Sequence, residues 1–88
     1  MKLAYEACFE KDLKNISDKN LLKKIKSTIE EIRKTDKLSS ISNLKKLRGY
    51  ETFYRIRIGD YRIGIEIIED CVIFTRVLHR KEVYRYFP

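Results

Sequence analysis

From Tyr54 to Ile67 the chain alternates apolar and polar side chains on both sides of Gly59-Asp60. A period of two interrupted by a two-residue turn signal calls for an antiparallel β-hairpin, and so short a turn fixes the register. Ile58 then lies opposite Tyr61, Arg57 opposite Arg62, Ile56 opposite Ile63 and Arg55 opposite Gly64. Because side chains alternate across a strand, Tyr54, Ile56, Ile58, Tyr61, Ile63, Ile65 and Ile67 share one face. Arg55, Arg57, Arg62 and Glu66 share the other. An apolar face of this width has to be covered, and 88 residues suffice for one sheet covered on one side by helices.

The polar face is electrostatically uncomfortable. Like charges directly opposite one another in a sheet repel. At about 5.5 Å and an effective dielectric near 20 one such pair costs roughly 3 kcal/mol, falling well under 1 kcal/mol in open water. A face that gathers three guanidinium groups suits an anion, and Gly64 beside Arg55 would let a ligand backbone approach closely. The same residues also fit a solvated sheet face on which arginine stems cover apolar strand surface.

The rest of the chain supplies the covering layer. Lys2 to Tyr5 reads as a short first strand. Phe9, Leu13 and Ile16 recur at helical spacing, and Ser17 or Asp18 can cap a second helix whose apolar stripe is Leu21, Leu22, Ile25, Ile29 and Ile32. Residues 35–43 have no period and read as a surface loop. From Leu44 the pattern is all strand: a short lead-in closed by Gly49, then 52–58, 61–68 and 71–78. The fold class is α+β with two layers, an N-terminal strand and a two-helix hairpin packed on one face of an antiparallel sheet meander, forming a single domain over 1–88. If Glu69-Asp70 is a two-residue turn, parity sends Arg76 toward the helices with Val72, Phe74 and Leu78, unless a bulge or a longer turn intervenes.

Composition narrows the function. A net charge of +7 favours polyanionic partners. Lys23, Lys24 and Lys26, with Lys45, Lys46 and Arg48, are candidates for contacts to RNA phosphates, which confer no sequence reading. Cys8 and Cys71 sit among apolar neighbours and are expected to be buried reduced thiols. With a single histidine and no ligand spacing, neither a metal nor another cofactor is expected. No stretch reads as a signal peptide or membrane span, so the chain is expected in the cytoplasm.

From Leu78 to Phe87 the chain is basic and aromatic, and with this tail the sequence resembles the RelE/ParE family of bacterial and archaeal toxins. The resemblance spans nearly the whole chain. It rests on the strand and two helices, the Leu47-Arg48-Gly49 lead-in, the tyrosine and isoleucines of Tyr54 to Ile58, Tyr61-Arg62-Ile63, His79-Arg80 and Glu82-Val83-Tyr84. It implies a two-layer fold with two helices on one face of an antiparallel sheet. In the RelE branch it further implies cleavage of messenger RNA in the ribosomal decoding site. The ParE branch instead poisons DNA gyrase and lacks the catalytic basic and tyrosine positions. Here Arg55 and Arg57 match the paired basic positions, Arg62 the central arginine, Arg80 the arginine after the last strand and Tyr84 the terminal tyrosine.

Cleavage of RNA by its own 2′-hydroxyl needs a proton removed from that oxygen, charge neutralised at phosphorus and a proton given to the 5′ leaving oxygen. Arginine suits the middle task, since its planar guanidinium binds two phosphate oxygens and keeps its charge. For proton transfer the candidates are Tyr84 and His79. A phenol is a poor base at neutral pH unless cations favour its ionised form, whereas histidine titrates near neutrality unaided. Tyr84 could instead stack on a base. The chain departs from the best-known RelE strand in carrying two arginines where that strand has two lysines, which leaves the base to Tyr84 or His79. With Pro88 soon after Tyr84, Tyr86 and Phe87 are expected to anchor the tail by packing. The implied function is a metal-independent, ribosome-dependent mRNA endoribonuclease, the toxin of a type II toxin–antitoxin pair whose partners are an acidic antitoxin, the ribosome and mRNA. A gyrase inhibitor and an attenuated RNA-binding homologue are the alternatives.

Overall fold

Residues 1–88, all described by the computed structural model, form one five-stranded mixed sheet with the two longer helices on one face and the C-terminal tail on the other. β1 (Lys2–Tyr5) leads into α1 (Ala7–Lys14) and α2 (Lys19–Arg33). A turn of 3-10 helix at Leu38–Ser40 precedes β2 (Leu44–Lys46), β3 (Phe53–Ile58), β4 (Tyr61–Ile68) and β5 (Cys71–His79), and α3 (Val83–Tyr86) follows. The spatial order is β1-β5-β4-β3-β2. β2 to β5 are the antiparallel meander; β1 adds in parallel beside β5, with Lys2 next to Cys71 and Tyr5 next to Phe74. The two-layer α+β architecture is as expected, and the parallel strand is what makes its sheet mixed.

Helix α2 begins where Asp18 accepts the backbone N–H groups of Asn20 and Leu21 at 2.9 and 3.2 Å, a cap that contributes about 1 kcal/mol. Its Leu21, Ile25 and Ile32 enter the core with Phe9 of α1 and with Ile56, Ile58, Ile63, Ile65 and Ile67 of the hairpin. Burying each such side chain contributes about 1.5–3 kcal/mol. The thiols do not join them: Cys8 is exposed and Cys71 half-buried, both free. Each adjoins a residue that takes the inward position, Phe9 in one case and Val72 in the other.

The placement of Arg76 turns on a bulge. Gly64 pairs with Arg76 but Ile65 pairs with Phe74, so Thr75 is an extra residue in β5. Its hydroxyl donates to the Gly64 carbonyl at 2.9 Å. Parity changes there: Val72 and Phe74 enter the core before the bulge and Val77 after it. Unbroken alternation would have sent Arg76 and Leu78 toward the helices, and the bulge removes both from that face. β1 accompanies β5 only as far as Phe74. Beyond it, Asp12 of α1 takes the place of a missing strand, accepting the Val77 N–H at 3.1 Å and bonds from Arg76 Nε and Nη2 at 2.7 and 3.0 Å.

Across the sheet from the helices lies a second, smaller apolar cluster. The tail folds back so that Val83 and Phe87 bury against Leu47, with Phe53 and Leu78 alongside. Phe87 stands edge-on to Phe53 at 5.6 Å. The ring rests on Gly64, where a Cβ atom would fall 2.6 Å from Cγ of Phe87. The space beside Arg55 that was expected to admit a ligand is therefore filled by the chain's own tail.

Candidate functional site

The hairpin register is the one its turn dictates: Arg57 pairs with Arg62, Arg55 with Gly64, Ile56 with Ile63 and Ile58 with Tyr61. Gly59, with φ of 56°, supplies the left-handed backbone that the turn requires. Arg55, Arg57 and Arg62 thus share the face away from the helices. Lys45 pairs with Arg55 and extends this face by one strand. Arg57 is exposed, while Arg55 and Arg62 are half-buried.

Arg62 is the electrostatic centre. Burial first, then the like charges of Arg55 and Arg57, lower its pKa below the ordinary arginine value, against an opposing pull from Tyr84 and with a last, smaller push from Arg80. Its Nη1 donates to the carbonyls of Gly59 and Tyr61, both at 2.9 Å, folding the guanidinium over the turn. Nε and Nη2 keep their N–H groups for other acceptors. Arg80 reaches the same turn: its backbone N–H donates to the Asp60 carbonyl at 2.7 Å. Its Nε lies 3.9 Å from Asp60 Oδ1, a solvated pair that holds it weakly. Tyr84 is 60% exposed, because α3 turns Val83 and Phe87 inward. The face is an open cationic surface bordered by a phenol.

Other residues singled out in the sequence lie elsewhere. His79 pairs with Tyr61, the strand neighbour that faces the helices, and meets its ring edge-on at 5.5 Å. Its Nδ1 accepts the Lys81 N–H at 3.2 Å. The imidazole is therefore on the opposite face from Arg62. Lys23, Lys24 and Lys26 belong to α2 and so to the other layer, although Lys24 approaches the hairpin end. There, a hollow of about 440 Å³ between α2 and the end of β3 includes Lys24, Thr28, Asn43 and Arg57. It meets the arginine face only through Arg57. Lys46 pairs with Tyr54 and takes the opposite parity to Lys45. Arg48 is exposed in the turn after β2. No three histidine, cysteine or carboxylate side chains cluster as metal ligands, and no helix is long and apolar enough to cross a membrane.

A family model described as the ParE toxin of type II toxin–antitoxin system, parDE, matches residues 3–84. The chain belongs to the RelE/ParE toxin family. It is 47% identical to Toxin RelE3 of Methanocaldococcus jannaschii over 89 aligned residues, covering 100% of both chains. In structure it is similar to a chain in the RelB–RelE antitoxin–toxin complex of Methanococcus jannaschii, with 46% identity, coverage of 97% and 99%, and a TM-score of 0.83. The archaeal RelE–RelB complex of Pyrococcus horikoshii OT3 contains a chain with the same fold at 17% identity, coverage of 90% and 93%, and a TM-score of 0.72.

Within this RelE-family toxin, the candidate site residues divide into two groups. Arg55, Arg57, Arg62, Arg80 and Tyr84 gather around the hairpin; His79 does not. Sequence reasoning passed over Asp12, whose carboxylate fixes Arg76, and did not foresee that Gly64 seats Phe87. A signal existed for Asp12, an acidic residue between Phe9 and Leu13 on the first helix. Only the tertiary structure shows which arginine it meets.

Proposed function

We propose that this RelE-family toxin is a ribosome-dependent endoribonuclease that cuts messenger RNA by attack of a 2′-hydroxyl on the adjacent phosphate. The observation that carries the reading is the gathering of Arg55, Arg57 and Arg62 on one accessible sheet face, with Arg80 bonded through its backbone to the hairpin turn and the tail that bears Tyr84 seated on Gly64 of the same face. The 2′-oxygen forms a bond to phosphorus as the bond to the 5′-oxygen breaks, leaving a 2′,3′-cyclic phosphate and a 5′-hydroxyl. One proton leaves the nucleophile and one is delivered to the leaving oxygen, so no co-reactant is consumed.

Arg62 takes the role of phosphate clamp, helped by Arg55 or Arg57. Anionic charge at phosphorus relieves the cation–cation repulsion that these residues impose on one another, and it develops further in the transition state, where it accelerates the reaction. Arg80 serves as a second clamp or shields the leaving oxygen. Tyr84 carries the proton or stacks on a base. His79 is left out because its ring faces the other side of the sheet. The positions distinguishing RelE-type nucleases from gyrase poisons are filled here by arginines and a tyrosine, which favours RNA over gyrase as the target.

The chain's +7 charge suits an acidic antitoxin and ribosomal RNA. Relatives solved as RelB–RelE complexes support an antitoxin of that type as partner. Lys24, Lys45 and Arg48 are the cations best placed around the site to meet ribosomal phosphates.

Primer extension on a defined message in a translating extract tests the proposal. Discrete cuts within translated codons, absent with Arg62→Ala and Tyr84→Phe, are expected. Intact message in the presence of the purified chain would overturn it, and loss of gyrase supercoiling would then point to the ParE-type activity.

A further inference from the structure

The tail carries the phenol of the candidate site, yet α3 is only four residues long. A single helical turn does not hold itself together in water. Its position must come from packing, and the packing is concentrated in one place. Phe87 is 3% exposed and lies flat on the only position of β4 that has no side chain. Gly64 is flanked in β4 by Ile63, which faces the core, and is the cross-strand partner of Arg55; Arg62 is the next residue on the same face. Val83, one turn before Phe87, is fully buried, and the Phe87 N–H donates to the Val83 carbonyl at 2.8 Å. With both ends of the turn pinned, Tyr84 has little freedom except at its own side chain.

We infer that Phe87, through its seat on Gly64, is the positioning residue that holds the tail, and with it Tyr84, against the arginine face for the reaction. Phe87 touches neither phosphate nor base; it acts through the tail. Arg76 adds a second restraint, its guanidinium lying 5.5 Å from the centre of the Tyr86 ring while Asp12 holds it. Gly64 is then required for a reason unrelated to backbone freedom, because any larger residue would evict the ring. The inference rests on the proposed nuclease activity, and it has a structural arm that does not.

The test uses the full chain with Phe87→Ala, Gly64→Ala, the double variant and Phe87→Leu. Ribosome-dependent cleavage by either single alanine variant is expected to fall in kcat on the order of 10- to 100-fold, with KM for programmed ribosomes little changed. The double variant should be no worse than either single one, since both break the same contact, and Phe87→Leu should recover most of the rate. In parallel, amide exchange is expected to quicken at residues 83–87 but not in the sheet, and the Tyr84 ring and Arg62 Nε resonances should move together. Wild-type kcat in Phe87→Ala, or unmoved Tyr84 and Arg62 resonances, would overturn the inference. If the unaltered chain itself leaves message intact, the nuclease reading fails, and the resonances still decide whether Phe87 positions Tyr84.

Discussion

Arg57 and Arg62 are direct cross-strand partners, two cations facing one another where a neutral or opposite-charge pair would stabilise the hairpin. Arg62 also loses water through partial burial, which lowers its pKa further. In the absence of an anion this arrangement weakens the fold. Replacing Arg62 with Gln relieves this repulsion but also removes the bonds from Arg62 Nη1 to the Gly59 and Tyr61 carbonyls, and the two opposing changes are expected to leave the free protein within about 1 kcal/mol of its original stability. The same change should lower RNA cleavage on the order of 10²-fold or more. Calorimetry beside the cleavage assay checks both. A variant that loses activity and stability together would indicate that Arg62 supports the fold rather than a ligand.

The Asp12 carboxylate holds Arg76 and Val77 at the point where β5 loses β1 as a neighbour. Arg76 has its pKa raised, chiefly by its hydrogen bonds to Asp12, working against burial. Removing either partner leaves the other poorly satisfied in a half-buried setting, and Asp12→Ala is expected to cost about 2–3 kcal/mol by urea unfolding. A cation whose folded pKa is raised contributes stability that is complete below its unfolded pKa and is lost only as pH climbs past it. For arginine that range lies above ordinary working conditions. The loss in Arg76→Met should therefore be the same at about pH 7 and pH 9; a penalty that fades by pH 9 would contradict the assignment.

His79 faces Tyr61, on the opposite side of the sheet from the arginine cluster. The expected result for His79→Ala is cleavage within about threefold of the unaltered rate, and no change in the pH profile between about pH 6 and 8. A profile that loses a limb near neutrality would restore the imidazole to the mechanism and require the tail to rearrange on the ribosome.

These outcomes bear on what a single sequence can convey. The hairpin from Tyr54 to Ile67 was legible because a two-residue turn admits one register, and the register alone puts Arg55, Arg57 and Arg62 together. The strand at Lys2 to Tyr5 was visible as an element, but its parallel pairing with β5 depends on contacts between distant parts of the chain. Arg76 resisted placement because one inserted residue, Thr75, reverses the parity of everything after it, and no local signal marks that insertion. His79 was named for chemistry, as the one side chain that titrates near neutrality unaided, and chemistry does not say which face of β5 the ring takes; its register with Tyr61 puts it on the side of the helices. Cys8 and Cys71 were misjudged from apolar surroundings in sequence, which do not establish which neighbour turns inward.

The backbone at Glu69 offers a test of the fold independent of function. With φ of 56°, this residue adopts the left-handed conformation between β4 and β5, where a side chain is strained. Glu69→Gly should stabilise the protein by roughly 0.5–1 kcal/mol in urea unfolding, since the native backbone is relieved by more than the unfolded chain gains in freedom. Loss of stability would mean that the Glu69 side chain makes a compensating interaction in solution.

Lys45 is the cation that the sheet adds to the arginine face, as the partner of Arg55 on the strand beyond it. Because β2 is an exposed edge strand, Lys45 contributes little to packing, and its removal should leave the melting temperature nearly unchanged. Its expected role is to meet a phosphate without reading sequence. Lys45→Ala should then weaken binding to ribosomal RNA similarly across sequences and reduce the magnitude of the log affinity against log salt slope by about 1 between roughly 50 and 200 mM salt. Lys46 has the opposite parity, and Lys23 lies in the helical layer, so Lys46→Ala and Lys23→Ala should change the slope less. Equal effects from all three lysines would show that binding follows total charge rather than this face. A slope reduced by Lys45→Ala alone would trace the nucleic acid along the row from Lys45 to Arg55, toward the Phe87 ring on Gly64.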